Sequence, residues 1–274
     1  MRSEFPYREY FSYDIIGDIA VVKSFGFSRR KLCKAAKRLM LDHKNVKTVL
    51  AQAGPVNGEY RLRQLTHLAG EDKRETLHKE NGCLFAVNLE KCYFSPRLAY
   101  ERRRIASLVQ PGETVVNMFS GVGCFSIIIA KHALPERVYS VDINPAAYEF
   151  MVKNIRLNRL YGKVAPLLGD SKSIVKWHLE RVADRVLLPL PDKALEYLPI
   201  AISALKPEGG WIHYYDFVHA RKDEIPEEKV IKRIAERSCC EKAYLSFVNS
   251  RVVRSTGPNW YQVAVDIYVD RCKA

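Results

Sequence analysis

Apolar and polar residues alternate in short bursts along the first third of the chain. "DIAVVKSF" and "GCLFAVNL" read as strands, with apolar residues in brief runs or at every second place. Between them "SRRKLCKAAKRLMLDH" changes period. Leu32, Ala35, Ala36, Leu39 and Met40 fall on one helical face, Arg29, Arg30, Lys34, Lys37 and Arg38 lie mostly elsewhere, and Ser28 stands in the N-cap place. One helix among several strands is therefore predicted up to about residue 95. The basic side of that helix reads either as a solvated face or as an RNA-facing one.

From Ser95 the pattern changes. "SPRLAYERRRIASLV" sets Ser before Pro, as N-cap and first helical position, and repeats apolar residues at Leu98, Ile105 and Leu108. Helices and strands then alternate. The strand candidates "TVVNMF", "RVYSVDI", "KVAPLL", "RVLLPL" and "GGWIHYYDF" are separated by helical patterns near 123–134, 146–158, 171–180 and 192–205. A helix near 224–237 precedes two further strands, "KAYLSFVNS" and "WYQVAVDIYV". Five β/α units closed by a helix and a strand pair predict an α/β fold, a doubly wound, Rossmann-like, seven-stranded sheet of the class I methyltransferase kind. An oxidoreductase sheet would more often add a sixth parallel strand. The expected organisation is a small α+β domain over 1–95 and the sheet domain over 96–274, joined by the helix from Ser95. Pro199, inside a helical pattern, predicts a bend or interruption there.

Composition changes this picture in one respect. With 44 Lys and Arg against 31 Asp and Glu in 274 residues, the formal charge is +13, which favours a polyanionic partner, nucleic acid first. Hydrophobic content of 47% is ordinary for a folded globular chain. Cys33, Cys83, Cys92, Cys124, Cys239, Cys240 and Cys272 make an odd set without metal-ligand spacing, so reduced thiols and no metal are expected. The charged N-terminus offers no apolar signal region, and no run approaches membrane-spanning length, so a cytoplasmic protein is expected.

The candidate chemistry begins at "FSGVGCFSIIIA". In an open α/β sheet the ligand sits at the carboxyl ends of the strands, and this stretch places Phe119, Gly121 and Gly123 where the first strand turns into its helix. A missing Cβ there would let a ligand lie against the backbone. The second strand ends in Asp142, 21 residues after Gly121, where a carboxylate would accept both hydroxyls of a ribose. A dinucleotide fingerprint asks for a third glycine facing a pyrophosphate, and here Ser126 stands in its place. That favours S-adenosyl-L-methionine, which has no pyrophosphate, with Asp170 at the third strand end accepting from the adenine amino group. Many such enzymes carry an acid at the end of the first strand, where this chain has Asn117. The fourth strand ends "LLPLPDKALEYL", and two prolines two apart cannot belong to a hydrogen-bonded ladder. They read either as a rigid strand exit, with Asp192 capping the next helix, or as the place where a target base meets the donor methyl group.

Taken with "YRLRQLTHLAGEDKRETLHKENGCLFAVNLEKCYFSPRLAYERRRI", the motifs "NMFSGVGCFSI", "VDINP", "NIRLN", "LPLP" and "GGWIHYYDF" resemble the archaeal and eukaryotic tRNA (guanine-37 1-)-methyltransferase family over about residues 58–270. The resemblance implies S-adenosyl-L-methionine as methyl donor, tRNA and its anticodon stem-loop as partner, and guanine N1 as acceptor; a monomer is expected. The family's general-base glutamate falls on Glu101 and its catalytic, substrate-binding arginine on Arg61. Its aromatic residue near both ligands falls on Tyr93. Cofactor contacts fall on Arg102, Asp142, Ile143, Asp170, Ser171 and Pro189 of the strand-four motif, with Pro191 towards the base. Without the resemblance, Glu101 reads as a helix-surface acid and Arg61 as a solvated strand residue. The chain departs from the family in Pro189-Leu190-Pro191, where Asn-Leu-Pro is common, and is expected to lack the extra N-terminal domain of many members. Two rivals follow. The sister family moves the aminocarboxypropyl group of the same cofactor in wybutosine synthesis, and a basic RNA-binding protein could keep the fold without catalysis.

Overall fold

The structure, a computed structural model, describes residues 12–24, 26–238 and 244–270. It divides into two compact units, Met1–Glu80 with Leu84–Pro96, and Asn81–Cys83 with Arg97–Ala274.

In the first unit β1 (Tyr13–Ile16), β2 (Ile19–Lys23), β3 (Thr48–Gln52) and β4 (Leu65–Gly70) form a sheet in that order. The β2/β3 pair is parallel and its neighbours are antiparallel. The parallel pair requires a crossover, which α1 (Arg29–Asp42) supplies. Leu32, Ala36 and Leu39 of α1 are buried against Ala20, Val22 and Val49, as the helical period predicts. Ser28 has the extended backbone of an N-cap, but its side chain makes no capping bond. A hairpin of β5 (Glu75–Glu80) and β6 (Cys83–Asn88) turns on Asn81 and Gly82, both at positive φ, the conformation that a two-residue turn of matching twist needs.

The second unit carries the large sheet. A 3-10 turn over Pro96–Leu98 leads into α2 (Ala99–Leu108), so the helix begins at Ala99 with Leu98 as its cap, and Ser95 does not cap it. Then come β7 (Thr114–Asn117), α3 (Cys124–His132), β8 (Arg137–Asp142), α4 (Pro145–Leu157), β9 (Val164–Leu168), α5 (Ser171–Ile174), β10 (Arg185–Leu188), α6 (Pro191–Ala204), β11 (Gly209–His219), α7 (Pro226–Ser238), β12 (Tyr244–Gly257) and β13 (Trp260–Asp270). The seven strands lie in the order β12-β13-β11-β10-β7-β8-β9. β7 to β11 run parallel, and β13 enters antiparallel to β11 with β12 outside it. The doubly wound sheet with a closing strand pair is thus the one predicted.

Local chemistry explains the elements. Asn144 caps α4, its side chain accepting from the Ala146 N–H, with Pro145 in the first helical place. Pro166 is tolerated in β9 because β9 is an edge strand. β7 and β10 lie between other strands, and Val116, Val186 and Leu188 are wholly buried in a core shared with Ile212, Val265 and Ile267. One expectation is refined and one corrected. The helix expected over 171–180 is one α-turn followed by a π-helical turn at Val175–Leu179, which buries Val175 and Leu179. Pro199 does not interrupt α6, which continues to Ala204 because Leu198, Ala201 and Ile202 around it are buried. Cys33, Cys83, Cys92 and Cys124 are free thiols; Cys239, Cys240 and Cys272 lie outside the described residues.

Candidate active site

The glycine turn is built by hydrogen bonds that its sequence only partly announces. Asn117, wholly buried at the end of β7, donates from Nδ2 to Ser126 Oγ (3.1 Å) and accepts the Phe119 N–H at Oδ1. Asn117 and Ser126 are therefore one structural pair, which accounts for both departures noted in the sequence. Gly123 has φ +90°, and a Cβ there would lie 3.0 Å from Met151 Cγ and 3.2 Å from Ile127 Cδ1. Its missing side chain thus serves backbone conformation and packing inside the unit.

Asp142 closes the turn from the next strand. Its Oδ2 accepts the Gly121 N–H at 2.6 Å and its Oδ1 the Asn144 N–H at 2.9 Å. Burial pushes its carboxyl above the ordinary value, with those two backbone bonds opposing. Each oxygen keeps an acceptor position beyond these bonds. Ile143 beside it is exposed. Asp170 stands at the start of α5 without capping it, and its Oδ1 accepts from Tyr197 Oη at 2.7 Å. The Tyr197 ring meets Phe119 edge-on at 4.9 Å, so Asp170, Tyr197 and the turn form one wall. Ser171 belongs to the same wall as a strut: its hydroxyl donates to the Met118 carbonyl, leaving its backbone N–H at the helix start. Pro189 is half-buried after β10, and Pro191 is buried at the first position of α6, so this exit offers carbonyls and ring carbons where an amide side chain would stand in Asn-Leu-Pro.

Glu101 is the most unusual acid of the unit. A helix-surface acid is excluded, because it is 1% exposed. Its Oε1 accepts from Tyr215 Oη at 2.8 Å and Arg104 Nη2 at 2.8 Å, and its Oε2 from Arg104 Nε at 3.0 Å. Burial, then the neighbouring carboxylate, push the Tyr215 phenol well above its usual value, so it stays a neutral donor. Arg104 reaches on to Asp266 through Nη1 (2.6 Å) and Nη2 (3.1 Å). Burial would raise the Asp266 carboxyl, but hydrogen bonds from His213 and Arg104 hold it well below the carboxylate range. His213, driven neutral by burial, donates from Nδ1 to Asp266 at 2.6 Å and accepts at Nε2 from Arg185, which can only donate. The line ends where Arg185 grips Glu113 with two bonds.

Aromatic contacts tie this carboxylate to the glycine turn. Phe125, at the start of α3, lies 6.1 Å from the Tyr215 ring, and the buried Arg102 guanidinium lies 5.9 Å over Phe125. Glu101 and Arg102 are thus linked, through Tyr215 and Phe125, to the start of the helix that follows the glycine turn. In the first unit, Arg61 sits at φ +53° on the tight turn closed by paired bonds between Asn57 and Leu62, and its guanidinium lies 5.4 Å over Tyr93. A non-glycine residue held in that region costs about 1–3 kcal/mol and is common where function sets backbone geometry.

Tyr197, Arg104, Asp266 and His213 escaped the sequence reading. "HYYDF" carries His213 and Tyr215, whose partners are far along the chain, while Tyr214 donates to Asp216 two residues on, so only Tyr197, in the helix after the proline pair, had a local signal. A nucleoside-type group, with hydroxyl and amino donors, fits these acceptors, since Asp142 and the Oδ2 atom of Asp170 keep acceptor positions at the ends of β8 and β9, beside an aromatic wall. No group of three or more His, Cys, Asp or Glu suited to a metal ion occurs among the described residues.

Comparison with known proteins places the chain in a family. Residues 76–246 match the TRM5/TYW2 methyltransferase domain and residues 8–73 the TYW2 N-terminal domain. The chain is 40% identical over 94% of its length to the tRNA (guanine(37)-N(1))-methyltransferase Trm5b of Pyrococcus abyssi, covering 74% of it. The crystal structure of that protein superposes with a TM-score of 0.83, over 94% of this chain and 75% of that one. It is 38% identical to the tRNA 4-demethylwyosine(37)-methyltransferase Taw21 of Saccharolobus solfataricus, over 93% of this chain and 92% of that one. The structure of Methanocaldococcus jannaschii TYW2 in complex with AdoMet gives a TM-score of 0.71 at 29% identity, over 95% of this chain and all of that one. A sheet of this order, a glycine turn latched by Asp142 and a family match across most of both units lead to one conclusion: the chain belongs to the TRM5/TYW2 methyltransferase domain family.

Proposed function

We propose that the protein transfers a methyl group from S-adenosyl-L-methionine to N1 of guanosine 37 in tRNA. Residues 96–274 bind the cofactor, residues 1–95 contact the anticodon stem-loop, and the setting is the cytoplasm. The observation that carries this reading is Glu101, a buried carboxylate held by Tyr215 and Arg104 next to the helix that follows the glycine turn. The 40% identity to Trm5b supports the acceptor, the AdoMet-bound TYW2 structure supports the cofactor, and a charge of +13 suits a polyanion.

Each residue has a chemical task. S-adenosyl-L-methionine supplies a methyl group on a sulfonium. Asp142 accepts from the ribose hydroxyls, Asp170 from the adenine amino group, and Phe119 and Ile143 border the adenine. Gly121, Ser171, Arg102 and Pro189 complete the pocket, Pro189 through its carbonyl. Guanine N1 carries a proton at neutral pH, so alkylation needs a base, and Glu101 takes that proton. Charge then gathers on the guanine carbonyl oxygen, where the fork of Arg61 donates, with Tyr93 steadying the guanidinium. Pro191 borders the base.

The test uses two labelled cofactors, one in the methyl and one in the carboxyl group, on a tRNA transcript bearing G37. Methyl label alone, lost when G37 is changed to A and reduced at least about 100-fold by Glu101→Gln, is the expected result. Full activity of Glu101→Gln across a pH series would remove Glu101 from the mechanism. The 38% identity to Taw21 favours a second acceptor, the tricyclic 4-demethylwyosine base at the same position. Methyl label appearing only on tRNA that carries that base would move the assignment there. Carboxyl label would assign aminocarboxypropyl transfer, and tight tRNA binding with no label a non-catalytic role.

A further inference from the structure

Tyr100 and Arg251 form a feature that the proposed chemistry leaves unused. Tyr100 immediately precedes Glu101 on α2, yet its side chain is 71% exposed. Arg251, in the middle of β12 and paired with Ala264 of β13, lays its guanidinium 5.0 Å over the Tyr100 ring. Its Nη1 lies 3.8 Å from Glu101 Oε2, too far for a hydrogen bond. The side chain is 31% exposed, and none of its five donors meets a hydrogen-bond acceptor among the described residues. An arginine with one face on an aromatic ring and its donor edge unsatisfied is arranged to take a planar or bidentate anion.

The position of this arginine matters because of how Glu101 is held. A carboxylate has about four acceptor positions. Two on Oε1 are filled by Tyr215 and Arg104, and one on Oε2 by Arg104. The remaining position belongs to Oε2, the oxygen that Arg251 faces. A proton can be accepted only there without breaking a bond.

We infer that Arg251, stacked on Tyr100, is an RNA contact that also guards the base: its guanidinium faces Glu101 Oε2 in the free protein and turns to a phosphate flanking the target nucleotide when RNA binds. Because Arg251 is held to Glu101 by a long ion pair and no hydrogen bond, exchanging that partner for a phosphate oxygen breaks nothing in the Tyr215 and Arg104 clamp. Loop nucleotides with splayed bases present such phosphates, and Arg can grip one with two parallel bonds. This rests on the reading of RNA as substrate and of Glu101 as base.

The experiment measures tRNA affinity of the full chain against potassium chloride concentration for the wild type, Arg251→Gln, Arg251→Lys and Tyr100→Ala, with steady-state methyl transfer alongside and thermal unfolding as the control for folding. Arg251→Gln is expected to flatten the log–log salt slope by about 0.7–0.9, the loss of one phosphate contact. Its defect falls on KM for tRNA, about 10–150-fold at one lost charge-assisted bond, rather than on kcat. Arg251→Lys keeps most of the slope, and Tyr100→Ala weakens affinity while leaving the slope in place. An unchanged slope in a folded Arg251→Gln overturns the proposal, and so does a defect confined to kcat, which would make Arg251 a partner of Glu101 alone. Glu101→Gln separates the two readings. It abolishes turnover with an unchanged salt slope if Glu101 is the base, and if it stays active the base assignment fails while the slope of Arg251→Gln still decides the RNA contact. A wild type that does not bind tRNA overturns both.

Discussion

Replacing Arg104 with Met tests the line of buried charge behind Glu101. Arg104 makes two bonds to Glu101 and two to Asp266, and those carboxylates are 1% and 4% exposed. Methionine keeps much of the stem but leaves both acids without their shared cation. Four charge-assisted bonds at about 1.5–3 kcal/mol each set a gross upper figure. Tyr215 still serves Glu101, while His213 and Asn249 still serve Asp266, so the lower value of about 3–5 kcal/mol for breaking a buried pair applies. The assay is urea unfolding followed by tryptophan fluorescence, because Trp177, Trp211 and Trp260 all belong to the second unit. In a cycle with Asp266→Asn, the double variant should lose about 1–3 kcal/mol less than the sum of the single ones. The pH dependence has a definite sign. Asp266 titrates below its unfolded value of about 3.9, so its contribution is complete above that pH and is lost as pH falls towards the folded value. Asp266→Asn should therefore flatten the stability curve below about pH 4. A cost under about 1 kcal/mol for Arg104→Met, with additive behaviour in the cycle, would mean that the network behaves as a solvated surface pair and would refute the reasoning.

Two further outcomes are expected. Tyr197→Phe removes the donor to Asp170, and isothermal titration with S-adenosyl-homocysteine should find about a five-fold weaker Kd, the equivalent of one hydrogen bond near 1 kcal/mol, with tRNA affinity kept; an unchanged Kd would remove Tyr197 from the cofactor wall. Burial raises the Asp142 carboxyl, so its charge, and with it S-adenosyl-homocysteine affinity, should decline with falling pH from a point above the ordinary value of about 3.9, and Asp142→Asn should flatten that decline. The same shift has the opposite sign for folding: the raised carboxyl favours the folded state when protonated and this gain is lost as pH rises through the folded value.

The sequence by itself determined the architecture of the larger unit, the glycine turn and the strand-end positions of Asp142 and Asp170, whereas Glu101 stood out only through the family resemblance. Strand and helix periods are local, and strands buried on both faces leave unbroken apolar runs such as "RVLLPL". Motif spacing is equally local, which is why Asp142 could be placed at the end of the second strand, 21 residues after Gly121. The tertiary structure decided the rest. That Gly123 packs against Met151 is visible only in the fold, and Pro199 looked like a break until the burial around α6 outweighed one missing hydrogen bond. Above all, Glu101 and Asp266 stand far apart in the chain but share Arg104, and Tyr215 reaches Glu101 from a strand more than a hundred residues on. No periodicity carries such pairings, because a buried charge is stabilised by whichever partners the folded sheet brings within hydrogen-bond distance, and that distance exists only after folding.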